Sequence, residues 1–128
     1  MGEFIWLSVP ICVVVGFAIG GLWYGPLFQK AWMEDTGMTD EKKGPPVKVF
    51  GGAIIHTLIA AVAINLLLDR TIGMIAHVSG GVIIGVAAAA AFGINYMFSS
   101  QPRRLLYIDG GYTILMYGAM GAVVGLMK

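Results

Sequence analysis

Four long stretches of the chain contain no Asp, Glu, Lys or Arg, and they constrain the fold more than any other feature. They are Phe4–Gln29, Val49–Leu68, Thr71–Pro102 and Gly110–Met127. Each reaches the roughly 18–20 residues that a helix needs to cross a hydrocarbon layer of about 30 Å at about 1.5 Å per residue. We therefore expect the chain to cross a membrane four times.

The composition supports the same fold class. Hydrophobic residues make up 58% of the 128 residues and charged residues only 12%, whereas soluble domains have roughly 45–50% and about 25%. So few charged side chains cannot cover a soluble core. We predict an all-α integral membrane four-helix bundle, with residues 1–128 as a single transmembrane domain.

The predicted spans are Phe4–Tyr24, Val47–Leu68, Ile75–Phe98 and Leu105–Met127. Gly25 and Pro26 are expected to end the first span, because proline lacks the backbone N–H that a helix uses. The following segment, Leu27–Met33, is apolar on one face and polar on the other. It is therefore predicted to be a short amphipathic segment on the membrane surface.

Lys and Arg are divided unequally between the two sides of such a protein. Six of the eight lie in the first and third connections, whereas Arg70 and Lys128 fall on the other side. Cytoplasmic loops of membrane proteins are enriched in Lys and Arg. We therefore expect an integral protein of the bacterial inner membrane, with loops one and three in the cytoplasm and both termini outside.

Several function classes are disfavoured. The net charge of +1 offers no basic surface for nucleic acid. The single cysteine, Cys12, permits no intrachain disulfide and no cysteine-based metal site. Two histidines at opposite depths and one intramembrane carboxylate fall short of the three or four ligands that a metal site needs. We expect no metal, no cofactor and no enzymatic activity, and the lipid bilayer as partner.

Glycine is frequent inside the spans, although it lowers helix propensity. Small residues on one face let two helices approach until their backbones touch, which drives helix association in lipid. The predicted helix-packing positions are Gly16, Gly20, Gly81, Gly85, Ala89, Gly93, Gly118, Gly121 and Gly125. Two interpretations remain open: the glycines seal one bundle, or at least one face joins copies in a homo-oligomer, which we expect.

The few polar side chains within the spans each need a partner or water, because an ionisable group there costs roughly 2.5–3.5 kcal/mol. His56 is predicted near the membrane midplane. It is either a proton-titrating or ion-contacting group, or a neutral ring bonded to a tyrosine or a backbone carbonyl. Asn65 and His77 lie near the outer ends of their spans, where we expect them to meet headgroup water.

Asp109 is the one carboxylate within the predicted spans, near the start of the last span. The simpler interpretation is an interfacial salt bridge to Arg103. The alternative follows from helix direction, since Asn95 and Tyr24 reach the same depth and, together with Arg104, are able to line one polar vestibule with Asp109.

These observations leave two functions open. The leading hypothesis is a channel-like or transporter-like protein for protons, ions or a small solute. The alternative is a structural or accessory subunit that binds a partner protein or lipid. The candidate residues for a polar path are His56, Asp109, Asn95, Tyr24, Tyr112 and Arg104.

Two parts of the chain resemble a known family. The first is the run WYGPLFQKAW, which begins at Trp23, with a Gly-x-Thr-x-Glu-like loop after it; the second is LYIDGGY, which ends at Tyr112. Both resemble the small membrane proteins of the domain of unknown function 1761 family, and the likeness covers essentially the whole chain. The resemblance implies a four-span membrane protein without an assigned activity, and it draws attention to Trp23, Tyr24, Trp32, Arg104, Asp109 and Tyr112.

Overall fold

A computed structural model describes residues 6–68 and 73–127, and in these ranges the chain is helical without strands. The helices are α1 (Ser8–Leu22), α2 (Gln29–Thr36), α3 (Pro46–Leu67), α4 (Met74–Phe98) and α5 (Arg103–Met127). Four segments are long and apolar enough to cross a membrane: Ser8–Leu27, α3, α4 and α5. The predicted all-α, four-span fold is confirmed. The predicted start of the first span, Phe4, lies outside the described residues. So do Arg70 and Lys128, which were used to predict the orientation.

The first span does not end at Gly25 and Pro26 as predicted. It continues through a π-helical turn, Trp23–Leu27, in which the N–H of Phe28 donates to the carbonyl oxygen of Trp23 at 2.9 Å. The wider turn accommodates Pro26, which has no N–H to donate. The surface helix α2 therefore begins later than predicted, at Gln29. It ends at Thr36 and is capped by Gly37, whose φ of 73° is left-handed.

Helix α5 lies at the centre of the bundle, where it packs most extensively on α4 and also on α1, α3 and α2. The end at which α1 and α4 finish and α3 and α5 begin is called here the loop side, and the other end the opposite side. Helices α3 and α4 are not among the closely packed pairs in the described ranges. A cleft therefore remains between α3 and α4, with α5 as its floor.

Glycine brings the α4 and α5 backbones into direct contact. A methyl group added at Gly81 would lie 2.3 Å from the carbonyl oxygen of Tyr117, and one at Gly121 would lie 2.3 Å from that of His77. Gly85 faces the Cα of Ile114 in the same way, at 2.7 Å. These glycine faces are thus filled within one chain. Among the remaining predicted packing positions, the methyl group of Ala89 faces Gly110 of α5, and the glycines face side chains of neighbouring helices: Gly16, Gly20, Gly93, Gly118 and Gly125.

Candidate functional site

One carboxylate joins three elements on the loop side. Oδ1 of Asp109 in α5 accepts a hydrogen bond from the hydroxyl of Tyr24 in the π turn at 2.6 Å, and Oδ2 accepts one from the hydroxyl of Tyr96 in α4 at 2.5 Å. Asp109 lies about 9 Å along the helix from Arg103, at about 1.5 Å per residue. Both donors are neutral, so they solvate the carboxylate without cancelling a negative charge.

The predicted ion pair between Asp109 and Arg103 is wrong. Six residues turn an α-helix through about 600°, so the two side chains leave α5 in different directions. Arg103 is exposed. Its neighbour Arg104 is not part of the vestibule either, because its guanidinium donates to Asp35 at 2.6 and 2.8 Å and to Glu34 at 3.2 Å. Arg104 thus fastens the surface helix α2 to α5.

The carboxylate borders a cavity of about 410 Å³ that occupies the cleft between α3 and α4. The floor comes from α5, and Tyr24 lines the end on the loop side. The polar lining residues are Tyr24, His56, Thr57, Tyr96, Asp109, Tyr112, Thr113 and Tyr117. Asn95, by contrast, is exposed and does not line this cavity.

His56 lies in the cavity wall at mid-depth, about 15 Å from the start of α3 at about 1.5 Å per residue. Its Nδ1 is 2.7 Å from the carbonyl oxygen of Gly52. A carbonyl only accepts, so Nδ1 carries the hydrogen and donates. The other ring nitrogen is then an acceptor when the ring is neutral and a donor when it is charged.

Aromatic side chains on the loop side hold the π turn against α5. The Tyr112 hydroxyl donates to the carbonyl oxygen of Gly16 at 2.9 Å, and its ring meets that of Tyr24 edge to face at 5.3 Å. The indole N–H of Trp23 donates to the carbonyl oxygen of Ile108 at 2.8 Å. A methyl group at Gly111 would lie 2.9 Å from the Trp23 ring, so glycine is needed for this approach.

Tyr96 is a site residue that the sequence analysis missed. Counting residues along the span gives only the depth, and at that depth it favours Asn95, the residue beside Tyr96. Consecutive residues of a helix point about 100° apart. The signal lies in the helical phase: Gly85, Phe92 and Tyr96 are spaced by seven and four residues and so share one face. Gly85 packs on α5, and that face therefore directs Tyr96 towards α5 as well.

Two polar side chains are buried separately towards the opposite side. Asn65 is 1% exposed and His77 2% exposed, so the expectation that both meet headgroup water is wrong. The hydroxyl of Ser8 in α1 donates to Oδ1 of Asn65, and Nδ2 of Asn65 donates to the carbonyl oxygen of Ala61 at 2.8 Å. Helix α1 thus covers Asn65, while close packing of α5 at Gly121 and Gly125 covers His77.

In the described ranges, no group of three or more His, Cys, Asp or Glu side chains is arranged to hold a metal ion. Outside the membrane-spanning segments, the carboxyl group of Asp35 has a pKa that its surroundings shift. The hydrogen bonds from Arg104 hold the pKa of this carboxyl below its ordinary value.

Acid is expected to release α2 from α5. Because the folded pKa of Asp35 is lowered, its contact with Arg104 is complete above the ordinary Asp pKa of about 3.9 and is lost as the pH falls through the lower folded value. Fluorescence of Trp32, in α2, should report a transition below about pH 4. Arg104→Gln should abolish that transition and Arg103→Gln should retain it; an unchanged transition in Arg104→Gln would contradict the assignment.

The family described as Protein of unknown function (DUF1761) matches residues 7–125 of the chain. The matched range contains Tyr24, Tyr96 and Asp109 together with nearly all of the four spans. No curated protein and no solved structure matches the chain at a significant level.

Proposed function

Because the chain belongs to the DUF1761 family, whose description assigns no activity, we propose a function from the geometry of the cavity. The protein acts as a small membrane transport protein that passes protons, ions or a small solute through the cleft between α3 and α4. The observation that supports this proposal most is the cavity, which is lined by Asp109 near the loop side and by His56 at mid-depth.

Energetics support this proposal. A polar or ionisable side chain inside a bilayer is costly unless it meets a partner, water or a solute. His56 is exposed on the surface of the described chain, although it lies at mid-depth. Tyr96 and Asp109 occupy the same cavity nearer the loop side. A water-filled or solute-filled cleft satisfies these groups together, which a purely structural role does not require.

The orientation belongs to the same proposal. The six Lys and Arg of the first and third connections all lie on the loop side, and cytoplasmic loops are enriched in these residues. We propose that the loop side faces the cytoplasm of a bacterial inner membrane. The Asp109 end of the cavity is then the cytoplasmic end, and solutes reach His56 from there.

A homo-oligomer is proposed on a different basis from the glycine faces, which are filled within the chain. The cleft leaves His56 and Thr57 open between α3 and α4. A second copy set against the outer faces of these helices would shield them from lipid. Mass measurement of the purified protein in nanodiscs checks this, and a strictly monomeric species would contradict it.

The function is tested by flux into proteoliposomes. Proton entry is followed with trapped pyranine, and uptake of rubidium and of labelled choline is measured in parallel. Wild-type protein should raise at least one flux above that of protein-free vesicles. Asp109→Asn should lower that flux by about tenfold or more, which corresponds to about 1.4 kcal/mol, and His56→Ala should lower it as well.

Asp40→Asn is the matched control, because Asp40 lies in an exposed turn and pairs only with the neighbouring Lys43 in the described ranges. This variant should keep the wild-type flux. Equal fluxes in wild type, Asp109→Asn and protein-free vesicles would instead support the alternative, a structural or accessory subunit that binds a partner protein or lipid.

A further inference from the structure

We propose that the cavity beside Asp109 binds a substituted ammonium ion, a compact organic cation whose charge is surrounded by carbon. This inference rests on the proposed function, because it names the class of solute that the cleft admits. It follows from three properties of the cavity: an acidic group without a cationic partner, a wall of aromatic rings, and a suitable volume.

The first property is charge. Asp109 accepts hydrogen bonds from the Tyr24 and Tyr96 hydroxyls, and in the described ranges no Lys, Arg or His forms an ion pair with it. The nearest candidate along α5, Arg104, is engaged by Asp35 and Glu34. A partly buried carboxylate without a cationic partner attracts a cation more strongly than one in bulk water, and here the described ranges supply none.

The second property is the aromatic wall. The rings of Tyr24, Phe92, Tyr96, Tyr112 and Tyr117 line the same cavity as Asp109. Phe92 and Tyr96 are stacked with their centroids 6.2 Å apart. The faces of such rings attract cations that lie within about 6 Å of a centroid, and quaternary ammonium groups are recognised in this way.

The same lining disfavours a bare metal ion. Magnesium and calcium need several oxygen ligands and hold their water tightly. Asp109 is the only carboxylate among the lining residues, and both of its oxygens already accept hydrogen bonds from tyrosine hydroxyls. A substituted ammonium carries its own carbon shell and needs one counter-charge and apolar contact, which is what this cavity offers.

The third property is size. The cavity holds about 410 Å³, within the range of about 300–1,000 Å³ that is common for small-molecule sites. The cleft is also open between α3 and α4, so a ligand can enter without crossing the α4–α5 contact.

Binding to the purified full-length protein in detergent tests the inference. The probes are choline and its neutral carbon isostere, 3,3-dimethyl-1-butanol, compared by titration calorimetry. Choline should bind at least about tenfold more tightly than the isostere, and Asp109→Asn, which keeps an acceptor oxygen but removes the charge, should abolish that preference. Equal affinity for both probes, or no binding of choline to folded wild type, would overturn the inference.

The aromatic wall is tested separately. Phe92→Leu should weaken choline binding several-fold while leaving the isostere unaffected, because it removes a ring but keeps an apolar side chain. Tyr107→Leu is the matched control, since Tyr107 is 64% exposed on the outside of α5. Equal losses in both variants would contradict a role for the wall. The comparison of the two probes on wild type remains decisive if Asp109→Asn fails to fold.

The two proposals fail in different ways. Choline binding without flux in proteoliposomes retains the ligand class and rejects transport. Proton or rubidium flux that depends on Asp109, without a preference for choline over the isostere, retains transport and rejects the ammonium ligand.

Discussion

Gly81→Ala is expected to destabilise the bundle by about 3 kcal/mol or more, at the upper end of the range for overpacked cores. The added methyl group would lie 2.3 Å from the carbonyl oxygen of Tyr117. No rotamer change relieves this contact, because the opposing atom belongs to the backbone of α5. The two helices must therefore separate, and lipid supplies no hydrophobic gain in return.

The measurement is thermal unfolding in mild detergent, followed by circular dichroism. Gly51→Ala is the control, because a methyl group there meets no atom within 4 Å. Its stability should be unchanged or higher by up to about 1 kcal/mol, the helix-propensity gain of alanine over glycine. If Gly81→Ala melts with the control, the close contact between α4 and α5 does not exist in the membrane-like environment.

Gly121→Ala extends the same test towards the opposite side. Its methyl group would lie 2.3 Å from the carbonyl oxygen of His77, so the expected loss is as large. Because both positions lie in one helix pair, the double variant should lose less than the sum of the two single variants. Full additivity would mean that the two neighbouring contacts are relieved independently of each other.

The spans could be predicted because hydrophobic length is a property of the sequence alone. An uncharged run of sufficient length has few folded alternatives in a bilayer. The end of the first span could not be predicted, since Pro26 ends most helices and only the local π turn allows the chain to continue. That choice depends on the contact of Trp23 with the backbone of α5, which is a tertiary effect.

The site shows the same division. Depth along each span follows from counting residues, and it brought Tyr24 and Asp109 to one level, where the structure joins them by a hydrogen bond. The direction in which a side chain leaves its helix depends on which helix face packs on a neighbour. Residue counting does not give that face, so it favours Asn95, whereas Tyr96 is the residue that bonds Asp109. For Asn65, depth suggested contact with headgroup water, whereas α1 covers it. Only knowledge of the neighbouring helix settles such cases.

The two asparagines provide the second prediction. Asn65→Ala is expected to destabilise the protein by about 1–3 kcal/mol, because it removes the bond from Ser8 and leaves a small void in a fully packed region. Asn95→Ala should have little effect, or stabilise slightly, since Asn95 is exposed near the end of α4 and its side chain makes no hydrogen bond within the described ranges.

Unfolding by sodium dodecyl sulfate, titrated into a mild detergent, measures both variants on one scale. The residue types and the substitutions are identical, so differences in side-chain chemistry cancel and only the surroundings differ. A loss confined to Asn65→Ala identifies the contact between α1 and α3 as a stabilising element of the opposite side. Equal losses in the two variants would mean that burial at this end of the bundle does not distinguish Asn65 from an exposed asparagine, and the bond to Ser8 would then contribute nothing to the fold.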